Sequence, residues 1–261
     1  MNKDFVTATP DSGSGGATVS VSASENQGGS RSTSLNVGGS GVNKSVSVSQ
    51  EEATITWEYV FSIDRSSGSV GATGGSIQVN ITSYRKKIIN GKDSGQTESV
   101  GVSISYHSGD DFTSVNRDGL PNYVVVSAGE NTNSSSRTEV ERFTQDGSGY
   151  TADFSFSQEA ATIETKYIFT SSPAALRWAM IDGNRKSVRV SSYKQIFING
   201  KISENVDLDF QIYNSLPQFQ VQKSGYTVYV TRISSPVGTQ YLELKQAESN
   251  KFFNVTLTTV N

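Results

Sequence analysis

Cysteine is absent from this 261-residue chain, which removes disulfide staples, thiolate metal sites and cysteine nucleophiles at once. Proline is scarce, at 5, too few for a Pro-rich disordered stalk. No run approaches the roughly 18 apolar residues that a membrane helix needs, so no membrane partner is expected. The residues after Met1 also lack the apolar core, about 7–15 residues long, of a secretory signal. The expectation is therefore a protein made in the cytosol. Charge of one sign is missing too. Lys+Arg number 22 and Asp+Glu 25, for a net charge of -3. Such a chain has no general electrostatic reason to hold nucleic acid, and none is expected as a partner. Hydrophobic residues make up only 34%, against roughly 45–50% for an average domain counted with glycine.

Small polar residues fill that gap. About one residue in six is serine, and there are 24 glycines. The aromatics, 12 Phe, 11 Tyr and 2 Trp, suffice for several small cores.

The chain repeats itself. Residues 49–62, SQEEATITWEYVFS, match residues 157–170, SQEAATIETKYIFT, at eight of fourteen positions and an offset of 108. Residues 79–92, VNITSYRKKIINGK, match residues 188–201, VRVSSYKQIFINGK, at seven of fourteen and an offset of 109. Two matches at one spacing and in one order indicate duplicated domains. The N-terminal stretch joins the series. Residues 19–26, VSVSASEN, resemble 124–131, VVVSAGEN, and Arg31 and Arg137 follow. Residues 41–51, GVNKSVSVSQE, align with 149–159, GYTADFSFSQE. Residues 1–52 thus correspond to the second half of the repeat alone. A weaker echo runs from Val228 to Gln246 in the last copy. The expected map is a partial unit at 1–52 and full units at 53–160 and 161–261, joined by short, stiff junctions rather than flexible linkers.

Within each copy the period is two. Thr18–Ala23, Ser45–Ser49, Ala152–Ser157 and Leu208–Tyr213 alternate apolar with polar residues, which sets Val or Phe inward and Ser or Asp outward on a half-buried strand. Asn90-Gly91 and Asn199-Gly200 predict tight hairpin turns. No amphipathic helix longer than about ten residues is visible. Short strands in units of about 105 residues predict an all-β chain of tandem immunoglobulin-like β-sandwich domains.

Candidate chemistry is thin. His107, the one histidine, lies in SYHSGDD beside Asp110 and Asp111, but neighbours in one turn do not converge as a triad must, and no G-x-S-x-G elbow occurs. Asp64, Asp146, Asp207 and Asp209 supply single carboxylates or pairs, short of the six to eight oxygens that calcium takes. Arg85-Lys86-Lys87 and Arg185-Lys186 with Arg189 are small basic clusters, suited to edge strands or to an acidic protein partner. Trp57, Trp178, Tyr193, Tyr226 and Tyr241 would make a sugar-stacking platform if they formed an exposed row. The simpler reading is that the tryptophans plug cores, with Trp57, Tyr59 and Phe61 facing one way. Gly74-Gly75 has no lysine and no following helix, so it is not a phosphate loop. No catalytic residue, metal site or cofactor is expected, and the chain is not expected to be an enzyme.

Asp64–Thr82, DRSSGSVGATGGSIQVNIT, resembles the opening of a Bacteroidetes-type immunoglobulin-like module, the BACON domain. Val6–Gln50, with Pro10, Gly15-Gly16, VSVSASEN, Arg31 and VSVSQ, resembles its later part. The resemblance implies non-catalytic modules of the kind found in secreted glycan-handling proteins and in virion proteins of crAss-like gut bacteriophages. With no export signal visible, the expectation is a bacteriophage virion structural protein. Its expected role is as an auxiliary or decoration protein that bridges capsid subunits, with the major capsid protein and other virion proteins as partners. The alternative is a glycan-binding or adhesion module of a surface or fibre protein.

Overall fold

The computed structural model describes residues 2–179, 183–234 and 238–260. These residues form 23 strands and no helix. The first strands are β1 (Asn2–Lys3), β2 (Val6–Thr9), β3 (Ser20–Ala23), β4 (Arg31–Gly39) and β5 (Val42–Gln50). Next come β6 (Ile55–Ile63), β7 (Ser67–Val70), β8 (Gly75–Ile89), β9 (Lys92–Ser99) and β10 (Val102–Gly109). They are followed by β11 (Thr113–Asn116), β12 (Tyr123–Ala128), β13 (Arg137–Gln145) and β14 (Thr151–Gln158). The rest are β15 (Ile163–Ser172), β16 (Ala175–Ala179), β17 (Arg185–Ile198), β18 (Lys201–Asp207), β19 (Phe210–Ile212), β20 (Phe219–Ser224), β21 (Thr227–Arg232), β22 (Gly238–Gln246) and β23 (Phe252–Val260).

Sheet order repeats with the sequence. In the middle copy β11-β12-β8-β6, with β9 on β8, faces β10-β13-β14-β7. In the last copy β20-β21-β17-β15, with β18 on β17, faces β19-β22-β23-β16. The chain is thus built of several sandwich-like modules, as the alternation predicts. Among the described residues the N-terminal copy has the sheet β1-β2-β3 and the hairpin β4-β5. By contact density the chain divides into two compact units, one of residues 1–68, 76–127 and 139–156, the other of 69–75, 128–138 and 157–261.

Alternation builds the last core from both sheets. Phe169, Val188, Val190, Phe219, Val228 and Val230 come from one sheet. Leu176, Trp178, Phe210, Leu242, Leu244, Val255 and Leu257 come from the other. Trp178 is fully buried and donates its Nε1–H to the Asn184 carbonyl at 2.8 Å, so the buried indole keeps its hydrogen bond. In the middle copy Val79, Ile81, Val124 and Val126 are buried, as are Val102, Phe143, Phe154 and Phe156. Trp57, Tyr59 and Phe61 do share a face, but each is only half-buried, because that end of β6 pairs with the basic stretch Arg85–Lys87. Trp57 is therefore no core plug. The inward phase of residues 1–50 is also more open than alternation predicts. Val19, Val21 and Val46 are exposed.

Both Asn-Gly dipeptides form hairpin turns, between β8 and β9 and between β17 and β18. Asn90 and Gly91 have φ of 50° and 77°, and Asn199 and Gly200 have 50° and 79°. Two consecutive positive φ values suit the twist of the flanking strands, and Asn and Gly tolerate them best. Each turn is held by the end of an earlier strand. Asn90 Nδ2 donates to the Asn26 carbonyl at 2.8 Å, and Lys92 pairs with Glu25 at 3.1 Å. Asn199 Nδ2 donates to the Asn131 carbonyl at 3.0 Å and to Glu130 at 2.9 Å, and Lys201 pairs with Glu130 at 3.4 Å. The Oδ1 atoms accept from the Thr54 and Thr162 N–H groups at 3.0 and 3.1 Å. Asn26 and Asn131 are themselves buried, and their Nδ2 groups donate to the Glu51 and Glu159 carbonyls at 2.6 and 2.8 Å. The side-chain hydrogen bonds from Lys92 and Asn90 hold the Glu25 carboxyl below its ordinary range, and those from Asn199 and Lys201 do the same for Glu130.

Polar residues also occupy inward positions, and they are bonded there. Gln145 Nε2 donates to the Val60 carbonyl at 2.9 Å and to Ser83 Oγ at 3.0 Å, while Ser148 Oγ donates to its Oε1 at 2.7 Å. Gln246 repeats this with the Ile168 carbonyl at 2.8 Å, Ser192 Oγ at 3.1 Å and Ser249 Oγ at 2.6 Å. Glu139 and Glu141 are buried side by side on β13. Burial opposes the charge on Glu139, but the N–H groups of Thr113 and Phe112, at 2.9 and 2.5 Å, and the Thr113 hydroxyl outweigh it and hold its carboxyl below the ordinary range. Burial, then Glu139, pushes the Glu141 carboxyl up, and its Oε2 has no hydrogen-bond partner.

Three outcomes follow from these contacts. Gln246→Met leaves the Ile168 carbonyl and Ser249 hydroxyl without their partner, so chemical denaturation should show a loss of about 1–3 kcal/mol. Asn199→Gly and Asn199→Ala both lose the turn's side-chain bonds. The alanine variant also carries the left-handed backbone cost, so it should be about 1–2 kcal/mol less stable than the glycine variant. Because the folded pKa of Glu141 is raised, its contribution is full below the unfolded value, roughly pH 4, and is lost as pH rises through the folded value. Glu141→Gln removes that loss. Melting temperatures measured between pH 4 and 8 should show the variant gaining on the parent as pH rises.

Candidate binding surfaces

His107 is exposed on β10, where its partners are not those of a triad. The Arg142 guanidinium, which can only donate, bonds its Nε2 at 2.9 Å and grips Asp153 with two bonds of 2.8 Å each. Arg142 holds the Asp153 carboxyl below its ordinary range. The ring nitrogen that would act as a base is thus occupied by a cation, and the nearest acid serves that cation. The buried carboxyls of Glu139 and Glu141 lie under β11 rather than across a groove.

Two of the other acidic candidates, Asp64 and Asp209, are satisfied locally. Asp64 accepts from the Asn80 backbone and side-chain nitrogens, both at 2.9 Å, and from Arg65 at 3.3 Å. Those bonds outweigh burial and lower its pKa. Asp209 forms an ion pair with Lys223, which lowers its pKa, and Lys223 lies 4.4 Å from the Phe210 ring centre. Among the described residues no group of three or more His, Cys, Asp or Glu side chains is arranged to hold a metal ion.

The basic clusters lie flat on strands. Arg85 covers the Trp57 ring at 4.1 Å and bonds Glu98 at 2.6 and 2.9 Å. Lys86 reaches Glu58 at 3.7 Å. Arg185 covers the Tyr229 ring at 3.8 Å and bonds Gln222 at 3.1 Å. Guanidinium on aromatic faces packs each strand, and neighbouring carboxylates offset part of the charge.

The five aromatics expected as a platform do not form one row. Trp178 is core, Trp57 lies beneath Arg85, Tyr193 is half-buried, and Tyr226 is exposed beside Phe210 at 6.3 Å. Only Tyr241 of the five stands on an open sheet face, and two further aromatics, Tyr213 and Phe252, share that face. On the β19-β22-β23 side of the last sandwich, Leu242 and Leu244 point inward, which turns Tyr241, Glu243 and Lys245 outward. Register sets Lys245 opposite Phe252 and Glu243 opposite Asn254. Tyr213, just past β19, is held by its N–H to the Glu243 carbonyl at 2.8 Å. Tyr213, Tyr241 and Phe252 are 58%, 56% and 46% exposed. The Tyr213 and Phe252 rings meet edge to face at 4.9 Å and 81°, with Lys245 Nζ at 5.6 and 5.4 Å from their centres. Asn214 Nδ2 donates to the Tyr241 carbonyl at 2.9 Å and its Oδ1 accepts from the Glu243 N–H at 2.8 Å, tying the loop to the sheet. The signal was present as phase: in FFNVTL the residue outward with Asn254 is Phe252. Two wet rings, a cation, a carboxylate and an amide on one flat face can stack on an apolar ligand face and bond its rim.

Comparison with known proteins adds one family and a set of folds. Residues 2–51 match the family model of BACON, described as a putative binding domain, N-terminal. No curated protein matches the chain. Among solved structures, titin domains z1z2 in complex with telethonin are similar at 12% identity and a TM-score of 0.35, over 80% of this chain and 96% of that one. Tandem Ig repeats of Dlar are similar at 9% identity and a TM-score of 0.23, over 78% and 99%. An endo-fucoidan hydrolase of glycoside hydrolase family 107 is similar at 8% identity and a TM-score of 0.27. This chain, matched over 100%, spans 38% of that protein's length. Likeness at this level carries nothing about activity. The chain therefore has an N-terminal stretch similar to a BACON binding domain within an all-β, immunoglobulin-like architecture.

Proposed function

We propose that this chain is a non-catalytic binding module that adheres to a glycan through the outer face of its last sandwich. The observation that carries the reading is the pair of half-exposed rings, Tyr213 and Phe252, set edge to face beneath Lys245, on the sheet face from which Tyr241 also points outward. Sugars present C–H faces that pack on aromatic rings, while their hydroxyls need donors and acceptors at the edge. Asn254, Glu243 and Lys245 supply both. The match of residues 2–51 to a putative binding domain supports the same class of function.

A second reading is an auxiliary virion protein that bridges capsid subunits. It is favoured by the uncovered valines of residues 19–46, which suit a protein neighbour. Proteomics of purified particles separates the two readings, because a decoration protein is present at a fixed ratio to the major capsid protein.

Affinity electrophoresis through gels of soluble polysaccharides, including sulfated and uncharged ones, tests the glycan reading. At least one should retard the chain. Tyr213→Ala and Phe252→Ala should each weaken that retardation about tenfold, the order expected when stacking on one aromatic ring is lost. Melting temperatures should move little, since both side chains are outward. Unretarded migration in every gel, or variants that migrate like the parent, would sink the reading.

A further inference from the structure

The second sheet of the last sandwich, β20-β21-β17-β15, carries cations on its outer face that no acid answers. On β17 the buried Val188, Val190 and Ser192 point inward, which turns Arg185, Ser187, Arg189 and Ser191 outward. Their cross-strand neighbours on β15, β21 and β20 are serines, threonines, glutamines and Tyr229. Arg185 is posed before any ligand arrives. Its guanidinium lies 3.8 Å from the Tyr229 ring centre and donates to Gln222 Oε1 at 3.1 Å. Arg189 is exposed and makes no side-chain bond or ion pair among the described residues. The next carboxylate on this face is Asp207, opposite Tyr193. Tyr193 is four residues along β17 from Arg189, about 13 Å at the rise of a strand.

The middle copy shows the same scaffold without this charge. Ser76 and Asn80 stand there in the places of Arg185 and Arg189. Register puts Ser172 opposite Arg189, and in the middle copy Asp64 holds that place. Asp64 accepts from the Asn80 backbone and side-chain nitrogens and is offset by Arg65 at 3.3 Å. From one copy to the other the face gains two guanidinium groups and gives up the carboxylate that would have paired with one of them. The strands form equally well in both copies, so the fold does not call for the change.

We propose that this face binds an acidic polysaccharide, one whose sugars carry sulfate or carboxylate groups. Guanidinium forks match such oxyanions with paired hydrogen bonds. The short hydroxyls and amides between and beside them form a flat floor that can bond ring hydroxyls. A folded protein partner needs apolar or aromatic anchors, and the one aromatic near the arginines lies under Arg185. Nucleic acid needs open stacking surfaces and a longer run of cations. The site lies on the sheet opposite the aromatic face and stands whether or not that face binds glycan.

The test passes the full chain over biosensor surfaces that carry heparin, polygalacturonate, uncharged dextran or poly-L-glutamate. Heparin or polygalacturonate should bind the chain saturably, and added salt should weaken that binding. Dextran and polyglutamate should bind about tenfold more weakly or not at all. Arg185→Gln and Arg189→Gln should each weaken binding to the acidic polysaccharide about tenfold, as loss of a charge-assisted contact does. Ser172→Asp places opposite Arg189 the carboxylate that the middle copy carries. It should weaken binding by a similar factor with both arginines still in place. Tyr213→Ala should bind these surfaces like the parent. Melting temperatures of the Arg189 and Ser172 variants should not move, since both side chains are exposed. Four results overturn the proposal: no saturable binding to either acidic polysaccharide, equal binding to polyglutamate, Arg189→Gln and Ser172→Asp variants that bind like the parent, or loss of binding in Tyr213→Ala.

Discussion

The rest of the molecule depends on one constraint: every buried amide at the exits from the strands must be bonded. Where β3 and β12 end, the chain turns away from its sheet and leaves backbone groups that no ladder can serve. Asn26 and Asn131 serve them, each bonding carbonyls on either side of the following hairpin. Arg31 and Arg137 then lock Gln50 and Gln158 at 2.9 Å. The next Asn-Gly turn closes on the same spot. A buried polar group without a partner costs about 1–3 kcal/mol, so these residues stabilise by what they prevent. The strands themselves need only alternation, which many sequences provide. The junctions need particular side chains, and this is where the repeats are most alike: SQE, SEN and GEN, INGK.

That contrast explains what could be read in the chain. Period-two alternation gives the all-β class, the Asn-Gly dipeptides give the hairpins, and the paired matches give the copies. Each is a local property written over a few residues. Trp57 misled because alternation says which face a residue takes and nothing about what covers that face. The covering strand end carries Arg85, Lys86 and Lys87, so the tryptophan became a shelf for a guanidinium. The inward Glu139, Glu141 and Gln145 were legible in principle, because they share the phase of Phe143. Apart from Ser148, their side-chain bonding partners lie 26 to 85 residues away and could not be named from sequence. Ser83 and Ser192 stand in the repeat motif because Gln145 and Gln246 bond to them, a reason that lies outside the motif itself.

The candidate surface shows the same limit. Tyr241 could be picked out from its phase on β22. Tyr213 and Phe252 meet across that strand only because β19 and β23 flank it, and strand order is a property of the whole sheet. Such a sandwich separates its duties cleanly. One phase of each strand is spent on the core, and the other is free to vary with the ligand, so a stable scaffold can carry different recognition faces.

The two Asn-Gly turns bear on how the protein ages. An Asn-Gly sequence is the one most open to deamidation, in which the glycine nitrogen attacks the asparagine side-chain carbon, the bond to Nδ2 breaks to release ammonia, and a five-membered ring closes. In Asn90 and Asn199 that side chain is tied at both ends, Oδ1 to the Thr54 or Thr162 N–H and Nδ2 to the Asn26 or Asn131 carbonyl. Ring closure would have to break both bonds first. The contacts that hold the junctions together therefore also act as a chemical preservative, and loss of the junction would start the clock on the residues that formed it.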